Sequence, residues 1–344
     1  MSEVMAVPKL RFKEFDGDWS QSRIGEIFQV TSGSTPLRSD NRFFENADIA
    51  WVKTTDLNNG LIEKTEEKIS QIALKETSVK ILPKGTVFVA MYGGFNQIGR
   101  TGLLVDEAAC NQALSAIYPN EKIESYFLLT FLNHKVDDWK NFAASSRKDP
   151  NITKSDVLAF PLTYPVKEEQ TKIASFLSTV DEKISQLTQK HALLSQYKQG
   201  MMQKLFSQQI RFKADDGSEF GEWEDKTIEQ IANFRRGSFP QPYGLPEWLD
   251  SNGFPFVQVY DVSDKMLLKE RTKIKISQLA ADQSVFAKQG TLIITIQGSI
   301  GRIAKMQYDA YVDRTLLIFQ SYNCEVDVDY FKYALFLVVY QKVC

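Results

Sequence analysis

Several short runs in this chain combine hydrogen-bond donors, glycine and positive charge as contact with a nucleic acid requires. The first is Lys53, Thr54 and Thr55, and the second is Tyr92, Gly93 and Gly94 with Asn96, Gln97 and Arg100. The third is Ser145, Ser146, Arg147 and Lys148. Farther along come Arg235 with Arg236, Gln258 with Tyr260, and Gln297, Gly298 and Ser299 with Arg302. Arginine suits guanine edges and phosphates, whereas asparagine and glutamine suit adenine edges. Glycine lets a backbone approach a phosphate closely. Any one of these residues taken alone reads more simply as a solvent-facing cap on a strand. Taken as a set, they point to contact with DNA.

Signals for catalysis are missing. The chain has no G-x-x-x-x-G-K-[ST] loop, which argues against an NTP-driven motor. Asp149-Pro150-Asn151-Ile152 is a distant match to the catalytic tetrapeptide of adenine methyltransferases. It lacks the second proline and the aromatic that would stack on a flipped base, so it reads as a turn. The two histidines, His134 and His191, lie far apart and are not spaced with the cysteines as metal ligands. No metal or cofactor is expected.

Bulk properties frame these residues. Apolar residues make up 43% and charged residues 24%, an ordinary globular balance, and 12% aromatics argue against disorder along the whole chain. The net charge of -2 and a pI near 5.9 are not those of a basic DNA-binding domain, so local loops or a partner must supply the field. Cys110, Cys324 and Cys344 are odd in number and widely spaced, which does not suit a disulfide framework. The N-terminus lacks a secretory apolar stretch. The longest apolar run, Tyr333 to Tyr340, is far shorter than a membrane span. A cytoplasmic protein without a membrane partner is expected.

The elements that must position the loops are duplicated. Arg11-Phe12-Lys13 recurs as Arg211-Phe212-Lys213, and Trp19, Ile24 and Ile27 recur as Trp223, Ile228 and Ile231, at offsets of 200 and 204. Gly33-Ser34-Thr35-Pro36 matches Gly237-Ser238-Phe239-Pro240, and Trp51–Leu57 matches Phe256–Val262. Gly85–Ala90 matches Gly290–Thr295, Ile98-Gly99-Arg100 matches Ile300-Gly301-Arg302, and Tyr126-Phe127 matches Tyr330-Phe331. So many ordered matches, separated by small insertions, mean a duplicated domain. The period is far too long for a solenoid. Each copy reads as α+β, with β-rich runs at Thr86–Ala90 and Thr291–Thr295 and a helix over Glu124–Lys140. The second copy ends at Cys344, equivalent to about Lys140 of the first, and is expected to be C-terminally incomplete.

Equivalence also sorts the loop residues. Arg100 and Arg302 are counterparts, as are Asp56 and Asp261, and such pairs suit phosphates or a shared structural ion pair. A reader of two different half-sites keeps its scaffold alike and varies its base-reading residues. Lys53/Gln258 and Thr55/Tyr260 are therefore the better base-reading candidates.

Between the copies, Glu168 to Ser207 has no proline and one glycine, Gly200. Ile173, Leu177, Val180, Ile184, Leu187 and Leu194 recur at steps that form one helical seam, with His191 and Lys198 as polar interruptions. That pattern predicts a long coiled-coil helix spanning roughly 60 Å and pairing through the seam. The expected domains are therefore 1–165, a spacer helix over 166–207, and 208–344.

Two α+β copies joined by such a helix resemble the specificity subunit of Type I restriction-modification systems, the HsdS family. The resemblance rests on PKLRFK at Pro8–Lys13 with Asp16-Gly17-Asp18-Trp19, on SGSTP at Ser32–Pro36, and on KGTVFV at Lys84–Val89. It also rests on Cys110-Asn111-Gln112-Ala113 and on Glu168-Glu169-Gln170 opening the central helix. The resemblance implies two target-recognition domains that each read half of a split double-stranded DNA site. The helix acts as a ruler, and the modification (methyltransferase) and restriction (translocase/nuclease) subunits carry out the chemistry. Two rival readings remain: a methyltransferase or nuclease with its own recognition domains, and a coiled-coil adaptor that binds protein.

Overall fold

The computed structural model describes residues 8–93, 96–142 and 151–343. It divides into two compact units, Met1–Ser195 and Gln196–Cys344, with the helix Lys167–Phe206 running from one into the other.

In the first unit, strands Val30–Ser32, Leu114–Ile117, Val87–Ala90, Thr101–Leu104 and Gly60–Ile62 form one sheet in that order. The pairing is antiparallel except at the edge, where Gly60–Ile62 runs parallel to Thr101–Leu104. Val87–Ala90 is apolar on both faces because both faces are covered. Val87 and Val89 enter the core shared with the helix Ser125–His134, while Phe88 and Ala90 enter a second core on the other side. That split is the two-residue period of a strand with no solvent face. A smaller sheet orders Glu67–Ile69, Ile49–Val52 and Ala109–Cys110.

The second unit repeats this plan. Ala232–Arg236, Leu316–Tyr322, Leu292–Thr295 and Ile303–Lys305 form the counterpart of the larger sheet. Ile274–Ile276, Leu249–Val257 and Ala310–Val312 form that of the smaller sheet, with Val285–Ala287 added at the edge. The strands common to the two α+β copies therefore keep one order, while the edge strand Gly60–Ile62 of the first unit's larger sheet has no counterpart among the described strands of the second.

One expected helix is shorter than its sequence suggests. The helix read over Glu124–Lys140 ends at His134, followed by the 3-10 turn Val136–Asp138 and the short helix Trp139–Phe142. Leaving the helix there lets Trp139 seat fully buried against Phe160, with ring centroids 3.8 Å apart. An amphipathic period cannot register that gain.

The central helix starts docked on the first unit. Glu168 and Glu169 stand in its first turn, where carboxylates suit the helix dipole. Arg11 donates to Glu169 from Nε at 2.9 Å and from Nη2 at 2.6 Å. Gln170 accepts from the Glu124 backbone N–H at 2.9 Å and donates to the Pro165 carbonyl at 2.9 Å. This docking corrects the expected seam. Ile173 packs against the first core and Leu177 is half-buried, whereas Val180, Ile184, Leu187 and Leu194 are exposed. Among the described residues, no helix is long and apolar enough to cross a membrane.

Candidate nucleic-acid interface

The smaller sheet brings the first unit's loops together. Ile49–Val52 and Ala109–Cys110 run parallel, with Val52 opposite Cys110, so the chain leaves both strands at the same end. The Asn111 N–H donates to the Val52 carbonyl at 3.0 Å, tying the loop at 111–113 to the one at 53–56. Ser34 N–H donates to the Cys110 carbonyl at 3.0 Å, and Met91 N–H donates to the Ala113 carbonyl at 2.8 Å. These bonds add the loops at 33–35 and 91–100 to the cluster. Gly33 permits the closest approach, since a Cβ there would lie 2.2 Å from the Cys110 carbonyl oxygen.

Within the cluster, Asp56 closes the 3-10 turn Thr54–Asp56. Its carboxylate accepts from the Lys53 N–H at 2.7 Å and from the Glu66 N–H at 2.9 Å. The Lys53 ammonium lies 3.0 Å from Glu66 and 2.8 Å from Glu67, and the Thr55 hydroxyl donates to Glu66 at 3.0 Å. The Lys53 hydrogen bond holds Glu66 below the usual carboxylate range. Arg38, followed by Lys53, does the same for Glu67. The Arg38 guanidinium also stacks over Trp51, 5.0 Å from the ring centroid. Lys53 is therefore a largely neutralised cation. Tyr92 and Asn96 are exposed, and Gln97 and Arg100 are half-buried. Arg147 and Lys148, with Ser145 and Ser146, fall outside the described residues.

The second unit builds the same cluster. Ser238 N–H donates to the Val312 carbonyl at 3.0 Å, Asp313 N–H to Val257 at 3.0 Å, and Ile296 N–H to Thr315 at 2.9 Å. Gly237 takes the place of Gly33, with a Cβ position 2.2 Å from the Val312 carbonyl oxygen. Asp261 accepts from the Gln258 N–H at 2.9 Å and the Lys273 N–H at 3.0 Å, as Asp56 does in its own turn. The Asp56/Asp261 equivalence is thus a loop closure through backbone N–H groups rather than a shared ion pair. Burial raises the Asp261 carboxyl.

The side chains mounted on this shared backbone differ. Gln258 is buried between two tyrosines: its amide nitrogen donates to the Tyr243 hydroxyl at 2.7 Å, and its oxygen accepts from Tyr260. Arg302 donates to the Val262 carbonyl at 3.1 Å, which holds a neighbouring turn. Gln297 and Ser299 are exposed in the following loop. Arg235 and Arg236 are exposed on an edge strand, with Arg236 leading directly into Gly237.

Residues outside the expected set also belong here. Thr35 bonds to Gln112 in the first unit, while Tyr243, Asp313 and Arg314 join the second. Asn111 and Asp313 hold equivalent places, each accepting from the backbone two residues on. A repeat alignment carried through Cys110-Asn111 would have found that pair. Tyr243 left no such signal, because the counterpart loop of the first unit, between Gly33 and the 3-10 turn Asn41–Phe43, carries no tyrosine.

A family model described as Type I restriction modification DNA specificity domain matches residues 16–196, just over half of the chain. The specificity subunit of the Type I restriction enzyme MjaIX from Methanocaldococcus jannaschii is 26% identical over 265 residues, covering 72% of this chain and 60% of that protein. That of EcoR124I/EcoR124II from Escherichia coli is 24% identical over 182 residues, covering 52% of this chain and 45% of that protein. This chain therefore spans about half to three fifths of the length of these two relatives. The crystal structure of the S subunit of a Type I restriction-modification system from M. genitalium superposes with a TM-score of 0.61 at 17% identity. The match covers 98% of this chain and 82% of that one, a likeness of fold.

Proposed function

Because this chain belongs to the Type I restriction modification DNA specificity family, we propose that it is the sequence-reading subunit of such a complex, working in the cytoplasm. Each unit reads one half of a bipartite double-stranded DNA site, and the 40-residue helix serves as the spacer. The observation that carries this reading is the loop cluster built twice on one backbone plan with different side chains: Lys53 and Thr55 in one copy, Gln258 and Tyr260 in the other. A common scaffold with divergent tips is what two different half-sites call for.

In this reading the base-reading set is Lys53, Thr54, Thr55 and Tyr260, supported by Tyr92, Asn96, Gln97, Gln297 and Ser299. Gln258, expected to read a base, is buried between two tyrosines and instead positions Tyr260. Arg100, Arg235, Arg236 and Arg302, with Arg147 and Lys148, hold phosphates or their own loops. The chain carries out no chemistry itself. Modification and restriction subunits dock on it, and the seam Val180, Ile184, Leu187 and Leu194 pairs with another helix, either a partner subunit's or a second copy's.

Mapping adenine methylation in cells that carry this gene with its partner genes tests the reading. A methylated motif of two short blocks separated by a fixed gap is expected. Loss of the gene with no change in methylation would overturn it. Methyl transfer from S-adenosylmethionine by the purified chain alone would favour a self-contained methyltransferase. Failure to bind duplex DNA at low salt, even with partners present, would favour an adaptor.

A further inference from the structure

In the second unit, four side chains form one hydrogen-bonded relay whose direction is set at its buried end. Asp313 is 1% exposed. Its Oδ1 accepts from the Thr315 N–H at 2.9 Å, and its Oδ2 accepts the Tyr243 hydroxyl proton at 2.6 Å. An ionised carboxylate can only accept, so Tyr243 must donate to it. The Tyr243 oxygen is then left as an acceptor, and the Gln258 amide nitrogen donates to it at 2.7 Å. That turns the Gln258 carbonyl oxygen toward Tyr260, whose hydroxyl donates to it. Burial and the neighbouring Asp313 raise the Tyr243 hydroxyl far above neutrality, and burial raises Tyr260 too, so both keep their protons.

Tyr260 ends the relay at the surface. It is 40% exposed, and the Lys273 ammonium lies 4.7 Å from its ring centroid. Its single proton is committed inward, so its oxygen offers only lone pairs outward. In the major groove, exocyclic amino groups are the base-edge donors, at adenine N6 and cytosine N4.

We propose that the Tyr260 hydroxyl oxygen is the second unit's acceptor for an exocyclic amino group on a base edge, and that Asp313 is a positioning residue setting this polarity through Tyr243 and Gln258. The proposal rests on the DNA-reading function above and assigns one position of the half-site. The relay is particular to this unit. In the first unit, Asn111 stands at the equivalent of Asp313, and Lys53 and Thr55 replace Gln258 and Tyr260.

The first unit also supplies the test. Asn111 accepts from the Ala113 N–H at 3.1 Å through Oδ1, so this backbone site accommodates asparagine. In Asp313→Asn, Oδ1 stays on Thr315 and an amide N–H now faces Tyr243. Tyr243 then gives its proton to the Gln258 oxygen, the flipped Gln258 nitrogen donates to Tyr260, and the Tyr260 proton points outward. An acceptor for amino groups becomes a donor to carbonyl groups.

The experiment is selection from a randomised duplex DNA library by the full chain assembled with its modification subunits. The expected wild-type motif has one position in the second half-site with adenine or cytosine on the contacted strand. In Asp313→Asn an acceptor takes the amino group's place on that strand, so adenine gives way to guanine (O6 for N6) or cytosine to thymine (O4 for N4). In Tyr260→Phe the preference there flattens by about tenfold, within the range of one good base contact, while other positions hold. An enriched motif that neither variant changes would overturn the proposal and leave the DNA-reading function standing. No motif from the wild-type complex would overturn both. Hydroxyl-proton NMR of the chain without DNA is an independent arm: a Tyr260 proton directed away from Gln258 in the wild type would also sink the proposal.

Discussion

Arg11 and Glu169 lie 158 residues apart and meet in a two-bond ion pair, Nε to Oε1 at 2.9 Å and Nη2 to Oε2 at 2.6 Å. The pair fastens the segment before the first unit's sheets to the first turn of the central helix. Glu169 is 1% exposed, and Arg11 is the cation that pairs with it there. The repeat counterpart Arg211 instead bonds the Phe220 and Gly221 carbonyls, and its carboxylate neighbour Glu222 is 3.7 Å away and almost fully exposed.

The two arginines should therefore differ in weight. Arg11→Ala leaves a buried carboxylate unpaired and should clearly lower the thermal midpoint, whereas Arg211→Ala should shift it little. Calorimetry on both variants decides this, and equal shifts would contradict it.

Lys53 and Thr55 offer a sharper test of reading against holding. On the preferred half-site, each alanine variant should cost about 1–3 kcal/mol, with little loss on random DNA. Because the Lys53 ammonium already faces Glu66 and Glu67, its removal should lower the salt slope by clearly less than one unit. Lys148→Ala, replacing an expected phosphate holder, should weaken all sequences alike and lower that slope by about one unit. Binding isotherms at several salt concentrations separate the cases. Equal losses on specific and random DNA would remove Lys53 and Thr55 from the recognition set.

The same cluster predicts an acid sensitivity. Glu66 and Glu67 are held below their usual values in the folded chain. Their contribution is thus present above the ordinary carboxylate range, about 4.3, and is lost as pH falls through the depressed values. Lys53→Met should bring Glu66 back toward its ordinary value, leave Glu67 still depressed by Arg38, and partly flatten the fall in stability below about pH 5. Thermal melts across that range check the slope, and an unchanged slope would count against it.

Gly33→Ala and Gly237→Ala should both be costly, at least about 1–3 kcal/mol, because the added Cβ meets backbone carbonyls that cannot rotate away. Urea unfolding measures this. A neutral Gly33→Ala would mean that the loops do not pack as closely as described.

The exposed seam makes a prediction about assembly. Ile184→Glu with Leu187→Glu should abolish helix-mediated self-association or partner docking, with little effect on the chain's own stability, since both side chains are more than half exposed. Sedimentation of both forms tests it. A strictly monomeric wild-type chain that also docks its partner as well as the variant does would remove the seam from the interface.

Much of this architecture is local or repetitive, and such features are legible in one dimension. The central helix was readable because a seven-residue apolar rhythm without proline has few other solutions, and its observed span, Lys167–Phe206, lies within one residue of the expectation. The duplication was readable because two copies of one backbone plan keep the same glycines and strand residues, down to Gly33 and Gly237. What the sequence could not show is who stands opposite whom. That Ile173 is spent on the first core rather than on a partner helix follows from Arg11 and Gln170 clamping the helix start, a contact spanning most of the first unit. That Lys53 is neutralised and Gln258 locked between tyrosines follows from strand ends brought together by parallel pairing. Residue types propose hydrogen-bonding capacity, but the polarity of a relay such as Asp313 to Tyr260 is decided only when a buried carboxylate fixes one end.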